Sequence, residues 1–313
     1  MGVFTLRLSV VILNWNALDD TILCLEHLRS WRSIRTSTWV IDNASDSDEA
    51  EAIGSGFPEI RIVRSQENRG FAGGTNLGII AAVEASDAPV LLLNNDVFVE
   101  EADLVRLLER LDSTPDAGAM GPVLYHAEDK QRVLSAGSRS PVLHRFHTIS
   151  EPPRRHGVYE VISVSGAAVL IRSEVFRSIG LLDESYYFAT ELADFCRRAS
   201  RAGYRTLVDP EAKAYHDIDR SSPLRETLYV YYVIRNRFLY IRKFHPFSGL
   251  FLAATWALYG GQQALRLKRA GRRATAKAIS MGVVDGLRGR FGGQNARVLE
   301  TCGNLSNETR ADS

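Results

Sequence analysis

The stretch VLLLNND, residues 90–96, decides the fold prediction for this chain. Four consecutive apolar residues predict a short buried strand, and two amides and the carboxylate of Asp96 follow them directly. Glu100 and Glu101 then begin an acidic segment that is typical of a helix start. Taken alone, an Asn-Asn-Asp sequence is also typical of a simple turn. The surrounding sequence must therefore show whether Asp96 has a chemical role.

Two earlier apolar runs also end in polar residues. Residues 8–13 run into Asn14-Trp15-Asn16, and residues 39–41 run into Asp42-Asn43-Ala44-Ser45. Segments with helical spacing separate the apolar runs, over residues 20–31 and 74–85. Strands that alternate with helices predict a mostly parallel sheet, in which ligands bind at the carboxyl ends of the strands. We therefore expect the three polar ends to meet in one crevice.

The composition is that of a folded globular protein. The 313 residues are 45% hydrophobic, which is enough for one large core or for a core with an appended subdomain. The formal net charge is +1, so no overall field favours a nucleic acid as partner. The three cysteines are far apart in the sequence, so neither a disulfide framework nor a zinc knuckle is indicated, and we expect a reducing compartment.

The sequence predicts a catalytic domain, a helical extension and a short tail. Their ranges are residues 1–222 (a nucleotide-binding half of about 1–115 and an acceptor half of about 116–222), 223–302, and 303–313, the last disordered. Periodicity weakens between residues 115 and 159, which predicts a loop-rich insertion over one sheet edge. An amphipathic helix is predicted over residues 191–202, ahead of Gly203.

The extension combines an apolar segment, residues 247–265, with six cations between residues 266 and 277 and no acidic residue among them. Its apolar start, residues 247–259, is shorter than the roughly 20 residues of a spanning helix, and Gln262 and Gln263 follow it, so we expect no transmembrane pass. An apolar face flanked by cations predicts a helix that lies on an anionic membrane surface. The alternative is a helical pair packed on the catalytic domain with a solvated basic face. We predict association through residues 247–277, on the cytoplasmic, inner face of the cell membrane.

The strand-end residues suit a nucleoside-diphosphate ligand. A divalent metal with oxygen ligands, held near Asp96, would neutralise a diphosphate leaving group. The carboxylate of Asp42 can accept the N3 hydrogen of uracil or thymine, and Trp15 offers an aromatic face to the same base. Both residues also have a structural interpretation, Asp42 as part of a turn and Trp15 as a core or interface residue.

A glycine-dense segment, ENRGFAGGTN at residues 67–76, leads into a helix. Backbone donors and a helix N-terminus suit phosphate or sugar hydroxyls, which makes Asn68, Gly70 and Asn76 candidates for donor binding. The glycine spacing matches neither a dinucleotide-binding nor a Walker loop, so neither ligand class is supported. Such a segment can also be a turn without a ligand.

Five sequence blocks, in this order, resemble the inverting family-2 glycosyltransferases of the GT-A fold, and among them the bacterial rhamnosyltransferase-like branch of cell-wall and O-antigen assembly. The blocks are residues 10–16, 40–45, 68–76, 92–96 and 165–168, within a match over roughly residues 7–245. The resemblance implies a Rossmann-like α/β fold with a mixed, mostly parallel sheet, followed here by a C-terminal helical extension.

The resemblance also implies roles for individual residues. The residues on the donor side are Asn14, Trp15, Asp42 as the base reader, Asn68, Gly70, Asn76 and Asn95. Those at the acceptor pocket are Ser165, Gly166, Ala167 and Arg235, the last for the pyrophosphate of a lipid-linked acceptor. Asp96 lies at the metal position, and His216 matches a histidine that often completes the metal or diphosphate site.

The family's catalytic base lies in a Glu-Asp-x-Asp stretch at a helix start, and here that stretch reads ELADF, residues 191–195. Leu192 stands where an acidic residue is expected, and it cannot accept a proton. Either Glu191 or Asp194 would then be the base. The two residues are three apart and share a helix face, so one carboxylate could take the proton of the acceptor hydroxyl while the other orients the site. An acidic first turn that favours the helix dipole would explain Glu191 without chemistry.

The sequence thus predicts a metal-dependent, inverting glycosyltransferase that uses Mg²⁺ or Mn²⁺. The favoured donors are dTDP-rhamnose, by resemblance alone, or a UDP-sugar, and the acceptor is a glycan or a polyprenyl-diphosphate-linked sugar in cell-wall or surface polysaccharide assembly. The alternative is a catalytically silent homologue that binds nucleotide sugar or glycan. A nucleotidyltransferase would need a basic, glycine-rich loop after the first strand, which residues 14–17 do not provide. No nucleic-acid partner is expected, and the oligomeric state stays open.

Overall fold

A computed structural model describes residues 6–153, 156–218 and 227–302. The chain divides into two compact units. The first comprises Met1–Ser140, Phe146–Leu182 and Leu192–Arg220, and the second comprises Pro141–Arg145, Asp183–Glu191 and Ser221–Ser313. The boundary near residue 222 stays a prediction, and the tail predicted for residues 303–313 lies outside the described residues.

The first unit is a sheet with helices on both faces. Its strands are β1 (Leu6–Asn14), β2 (Ile34–Asp42), β3 (Arg61–Arg64), β4 (Val90–Asn94), β5 (Val97–Val99), β6 (Ala117–His126), β7 (Val133–Ser135), β8 (Tyr159–Glu160), β9 (Ala168–Ile171) and β10 (Arg205–His216). Its helices are α1 (Leu18–Arg29), α2 (Glu49–Gly56), α3 (Gly70–Ala85), α4 (Glu101–Asp112), α5 (Ser173–Ile179) and α6 (Glu191–Arg201), of which Glu191 is grouped with the second unit.

The strand order is β3-β2-β1-β4-β9-β6-β10-β5, with β7 paired to β6 and β8 paired to β10. Strands β3, β2, β1 and β4 are parallel to one another, and β9 is antiparallel to both β4 and β6. Because β10 is parallel to β6, six of the eight strands along this path run in one direction. The predicted α/β fold with a mixed, mostly parallel sheet is confirmed.

Alternation along β1 builds a core on each face of the sheet. Leu8, Val10 and Ile12 pack in the cluster that includes residues of α1 and α4, whereas Val11 packs in the cluster of α3, α5 and α6. Successive side chains of a strand point to opposite faces, so one strand supplies both cores. The carboxyl ends of the central strands are then left as the polar edge of this unit.

The prediction of a loop-rich insertion from residue 115 to 159 is wrong at its start, because β6 lies there. Nine of the ten β6 residues are buried, between β9 and β10, but Gly118, Gly121 and Pro122 interrupt the run of large apolar residues that marks a buried strand in a sequence. Pro122 lies beside the irregularity at which β10 jumps in register from Asp209 to Lys213. Proline is tolerated in sheets at such irregularities.

The second unit contains the predicted helical extension. Its helices are α7 (Leu228–Phe244), α8 (Gly249–Arg269), α9 (Arg273–Arg288) and α10 (Asn295–Cys302), together with a 3-10 turn at Glu184–Tyr186. A Cβ added at Gly282 of α9 would lie 2.8 Å from the backbone oxygen of Tyr231, so glycine permits the close approach of α9 to α7. Among the described helices, none is both long and apolar enough to cross a membrane.

Candidate active site

The carboxyl ends of β1, β2 and β4 lie side by side in the first unit. The register pairs Asn14 with Asp42, and Leu13 with Asn94. The predicted convergence of the three polar ends on one edge is therefore confirmed. This edge is the place where open α/β sheets bind ligands.

Asn14 and Asn95 are joined through Thr21, a residue that the sequence did not single out. The Thr21 hydroxyl donates to Asn14 Oδ1 at 2.7 Å and accepts from Asn95 Nδ2 at 2.9 Å. Asn14 Nδ2 donates to Glu49 Oε2 at 2.8 Å, and Asn14 is fully buried. The amide of Asn14 thus holds α1 and α2 at the end of β1, and its role as a donor ligand stays a prediction.

Trp15 follows β1 directly and Asp42 ends β2, and the segments after these two strands are joined by hydrogen bonds. Asp42 Oδ1 accepts from the backbone nitrogen of Ser45 at 3.2 Å, which is the turn that the sequence allowed, and the Ser45 hydroxyl accepts from Asn16 N at 3.0 Å. Trp15 is 39% exposed, so it is not a core tryptophan. This exposure leaves Trp15, the residue after β1, available for stacking on a base.

Asn43 organises the glycine-dense loop. Its Nδ2 donates to Asn68 Oδ1 at 3.1 Å and to Gly70 O at 3.2 Å, and its Oδ1 accepts from Arg69 N at 3.0 Å. Gly70 has φ +69° and begins α3, four residues earlier than predicted. A Cβ added at Gly74 would lie 2.5 Å from Leu13 Cδ1, so the helix start needs glycine to approach β1.

Asn76 lies inside the first unit instead of facing a ligand. It is 2% exposed, its Nδ2 donates to Leu182 O at 2.9 Å, and its Oδ1 accepts from Leu182 N at 3.0 Å. This paired contact satisfies the backbone of the segment that follows α5. Asn76 therefore positions that segment, and its contact with a donor stays a prediction.

Asp96 and His216 form a pair at the turn between β4 and β5. Because β10 pairs His216 with Val97, His216 Nε2 lies 3.1 Å from Asp96 Oδ2. The second oxygen, Asp96 Oδ1, is buried and has no hydrogen-bond partner among the described residues. Burial, and after it the charge of Asp96, raises the pKa of the Cys24 thiol to about 12, so Cys24 is a neutral thiol at neutral pH.

The block Ser165-Gly166-Ala167 lies against the end of β4. Asn94 N donates to Ala167 O at 2.9 Å, and Leu93 pairs with Ala168 of β9. The predicted acceptor block directly precedes β9. Because β9 pairs with β4, the block lies close to Asn94, two residues before Asp96.

Leu192 is a core residue. It is 4% exposed in the cluster that contains Phe195, and a Cβ added at Gly166 would lie 3.2 Å from Leu192 Cδ2. An acidic side chain in this apolar place would be buried without solvation. The leucine therefore fits its surroundings.

Asp194, two residues after Leu192 on α6, is fully buried and forms an ion pair with Arg198. Its Oδ2 accepts from Arg198 Nε at 2.7 Å, and Arg198 also donates to the backbone oxygens of Ile179 and Leu181 at 2.7 and 2.6 Å. Through Arg198, the ion pair anchors the segment after α5 to α6. Asp194 therefore has a structural partner, and its role as the base stays a prediction.

Arg235 is also a buried residue, within the second unit. It is fully buried and donates to the backbone oxygens of Gly292, Ser185 and Tyr186 and to Asn236 Oδ1. Burial lowers the pKa of Arg235 from its ordinary value, and these acceptors offset part of that cost. The predicted contact of Arg235 with an acceptor pyrophosphate stays a prediction, and in this structure the guanidinium donates to backbone oxygens of the second unit.

The comparisons with known proteins agree with this geometry. The model of the family described as glycosyl transferase family 2 matches residues 9–180. The chain belongs to glycosyl transferase family 2. This glycosyltransferase is 28% identical over 238 residues to the low-salt glycan biosynthesis hexosyltransferase Agl10 of Haloferax volcanii, with 74% of each chain covered.

A second relative and a solved structure extend the comparison. The glycosyltransferase is 26% identical over 206 residues to the N-acetylglucosaminyl-diphospho-decaprenol L-rhamnosyltransferase of Mycobacterium tuberculosis, covering 58% of this chain and 66% of the relative. Its fold is similar, at 14% identity and a TM-score of 0.57, to the mannosyltransferase PcManGT of Pyrobaculum calidifontis, solved with GDP-Man and Mn²⁺, covering 91% and 88% of the two chains. The chain is rhamnosyltransferase-like, and the GT-A fold is confirmed.

The metal-ligating residues of the glycosyltransferase fit a divalent cation only if the substrate supplies further ligands. In the described part of the chain, no group of three or more His, Cys, Asp and Glu side chains could hold a metal by itself. Asp96 and His216 supply a carboxylate and an imidazole, and the unpartnered Oδ1 of Asp96 is an available ligand. Mg²⁺ sites of this kind take one or two carboxylates and complete their coordination with substrate phosphates.

Proposed function

We propose that this glycosyltransferase is an inverting, metal-dependent enzyme whose donor is a nucleoside-diphosphate sugar. The observation that carries the proposal is the Asp96–His216 pair, at the turn after β4, with Asp96 Oδ1 buried and unpartnered among the described residues. A buried carboxylate oxygen without a donor is costly unless a ligand completes it. The exposed ring of Trp15 and the carboxylate of Asp42, on the neighbouring strand ends, suit a uracil or thymine base.

In this proposal Asp96 and His216 would hold Mg²⁺ or Mn²⁺ together with the diphosphate of the donor. When bound, the cation supplies positive charge that stabilises the departing nucleoside diphosphate. The Mn²⁺ in the structurally similar mannosyltransferase supports this choice of cofactor. Asn95 lies in the turn between β4 and β5, and its hydrogen bond to Thr21, which in turn bonds Asn14 at the end of β1, holds this turn in place.

We assign the proton-accepting role to Glu191, the first residue of α6. The acceptor oxygen attacks the anomeric carbon while the Glu191 carboxylate takes the hydroxyl proton. The bond between the anomeric carbon and the diphosphate oxygen breaks, and its electron pair leaves with the nucleoside diphosphate. A single displacement inverts the anomeric configuration. Asp194 is less suited, because it is fully buried and accepts from Arg198.

The relatives support the choice of substrates. The mycobacterial relative is named for an L-rhamnosyl donor group and a decaprenol-diphosphate-linked acceptor, and the Haloferax relative is named for glycan biosynthesis. We therefore favour dTDP-rhamnose or a UDP-sugar as donor, and a glycan or polyprenyl-diphosphate-linked sugar as acceptor, in cell-wall or surface polysaccharide assembly. Residues 1–222 would form the catalytic domain, and residues 223–302 would bring it to the inner face of the cell membrane.

The second candidate is a catalytically silent homologue that binds a nucleotide sugar or glycan. Leu192 favours it, because an apolar core residue stands at the position where the family carries an acid. The two candidates differ in turnover and not in donor binding. An experiment that measures both therefore separates them.

The test is a donor screen with the purified full chain, reading release of nucleoside diphosphate with Mg²⁺, Mn²⁺ or EDTA. We expect release from a dTDP- or UDP-sugar in the presence of a glycan or lipid-linked acceptor, and no release in EDTA. Asp96→Asn should lower kcat by about 100-fold or more, as loss of one electrostatic stabiliser does. The matched control is Asp87→Asn, an exposed aspartate on the loop before β4. An unchanged rate in EDTA contradicts the metal role, and donor binding without turnover favours the silent homologue.

A further inference from the structure

The solvent side of α8 is an apolar surface. The exposed apolar side chains on it include Leu250, Phe251, Leu258 and Leu265, at 88, 73, 70 and 50% exposure, and Phe247 precedes the helix at 103%. Ala254 and Gly261, also exposed, fill the positions between them. We define Leu250, Phe251, Ala254, Leu258, Gly261 and Leu265 as the α8 apolar face. Its spacing of three or four residues follows one side of the helix over about 22 Å.

The opposite side of α8 is already packed. Leu252, Trp256, Gly260 and Ala264 are buried at four-residue spacing, and Trp256 Nε1 donates to Val142 O at 2.9 Å within the second unit. The core of this unit therefore does not need the α8 apolar face. An ordinary surface helix carries polar residues on its solvent side, and a contiguous exposed apolar patch marks an interaction site.

The charge around this face has one sign. Between residues 227 and 284 the sequence has ten Lys and Arg residues and no Asp or Glu. Exposed Lys268 and Arg269 continue the α8 apolar face at the C-terminal end of the helix, and exposed Arg273 begins α9. The apolar face thus ends in cations, with no carboxylate of the same segment to neutralise them.

We propose that the α8 apolar face is the docking surface for an anionic lipid bilayer. The leucine and phenylalanine side chains enter the boundary between headgroups and acyl chains, and Lys268, Arg269 and Arg273 lie among the headgroup phosphates. The charge distribution favours lipid over a second copy of the chain, because the same face of a second copy brings further cations and no carboxylate. This docking surface rests on the membrane placement proposed above for residues 223–302 and deepens it, because it names the helix face and the class of lipid that would bind.

The test is flotation of the full chain with vesicles of phosphatidylcholine alone or of phosphatidylcholine and phosphatidylglycerol, without donor or acceptor. We expect flotation with the anionic vesicles and weaker flotation at high salt. Phe251→Glu with Leu258→Glu should abolish it, and Lys268→Glu with Arg269→Glu should weaken partitioning by about tenfold or more. The matched controls are Leu23→Glu, an exposed leucine on α1, and Arg32→Glu with Arg35→Glu, exposed arginines before and in β2, which should float like the wild type.

The possible outcomes separate the alternatives. Circular dichroism of the Phe251/Leu258 variant should match that of the wild type, because both side chains are exposed. If the wild type stays unbound with both vesicle types, or if this variant still floats, the proposal is overturned. A concentration-dependent dimer that the same substitutions dissolve, without vesicle binding, would assign the face to a second copy and overturn the lipid proposal. Release of nucleoside diphosphate from the donor, measured with a water-soluble acceptor, should not change in any variant, so failure here is distinguishable from failure of the enzymatic proposal.

Discussion

The side-chain nitrogen Nδ2 of Asn236 lies 2.7 Å from the backbone oxygen of Ala189, two residues before Glu191. The same nitrogen donates to Tyr186 O at 3.0 Å and to Phe188 O at 2.8 Å. Tyr187, Ala189 and Thr190 have φ of 63, 65 and 78°. Non-glycine residues in such conformations cost of order 1–3 kcal/mol each and persist only where surrounding contacts fix them. Asn236 is therefore one of the contacts that fix the turn leading into Glu191.

Asn236→Ala should lower turnover more than donor affinity. Without the amide, the turn before α6 can relax, and a displacement of about 1 Å can cost on the order of 100-fold in rate. We expect kcat to fall about 10- to 100-fold and the donor KM to stay within about twofold, because the proposed donor residues lie in the first unit. Steady-state release of nucleoside diphosphate measures both constants.

Tyr231→Phe is the control for a general loss of stability in the second unit. It removes the hydroxyl that donates to Asp285 Oδ2 at 2.7 Å, while every hydrogen bond of Asn236 to the turn remains. Both substitutions should lower the free energy of unfolding by about 1–3 kcal/mol, but only Asn236→Ala should lower kcat. Equal losses of kcat in the two variants would show that Asn236 acts through stability alone.

Glu191→Gln and Asp194→Asn should have opposite signatures. Loss of a general base costs about 100- to 10,000-fold in kcat, so Glu191→Gln should be nearly inactive but folded. Asp194→Asn leaves Arg198 partly buried without its counter-charge, so its main effect should be a loss of about 3 kcal/mol in stability. Urea unfolding and kcat distinguish the two effects. An active Glu191→Gln enzyme would remove Glu191 from the mechanism.

Leu192→Asp should not restore the acid that the family carries at this position. Leu192 is 4% exposed in an apolar cluster, so a carboxylate there should destabilise the first unit by about 3 kcal/mol or more. Leu192→Met, which conserves volume, should cost less than about 1.5 kcal/mol. If Leu192→Asp is folded and raises the release of nucleoside diphosphate, the result favours the second candidate function, in which the natural chain is a catalytically silent homologue.

The strands whose ends carry the site could be predicted, whereas several polar roles could not. The apolar runs of β1, β2 and β4 stand out because parallel strands are buried on both faces. Strand β6 is equally buried, but its glycines and Pro122 conceal it from pattern reading. Periodicity reports burial, and it works only where large apolar residues provide that burial.

The polar residues show a different limit. Asn14 and Asn76 were expected at the donor, yet each is buried and bonded to protein partners from distant parts of the chain. Thr21, which joins Asn14 to Asn95, had no signal in the sequence, because Asn95 is 74 residues away and only the fold brings the two together. A buried amide and a ligand-binding amide look alike in sequence, since both need a hydrogen-bond partner and only the fold supplies it.

The prediction for Trp15 can be tested by fluorescence, because the other tryptophans are buried. Trp31, Trp39 and Trp256 are 7, 3 and 6% exposed, against 39% for Trp15. Acrylamide should therefore quench mainly Trp15, and dTDP or UDP should reduce this quenching if the base stacks on the ring. Base stacking on an aromatic residue contributes about 1–3 kcal/mol, so Trp15→Ala should weaken nucleotide binding by about 5- to 100-fold.

Trp15→Phe and Trp31→Phe separate the signal from the binding. Trp15→Phe keeps an aromatic face, so it should retain most of the affinity while the nucleotide-dependent protection disappears. Trp31→Phe alters a tryptophan whose buried Nε1 has no partner among the described residues, so it should keep both affinity and protection. Protection that persists in Trp15→Phe would place the base away from the β1 end. Because Asp42 pairs with Asn14 at that end, the same result would also remove the base-reading role of Asp42.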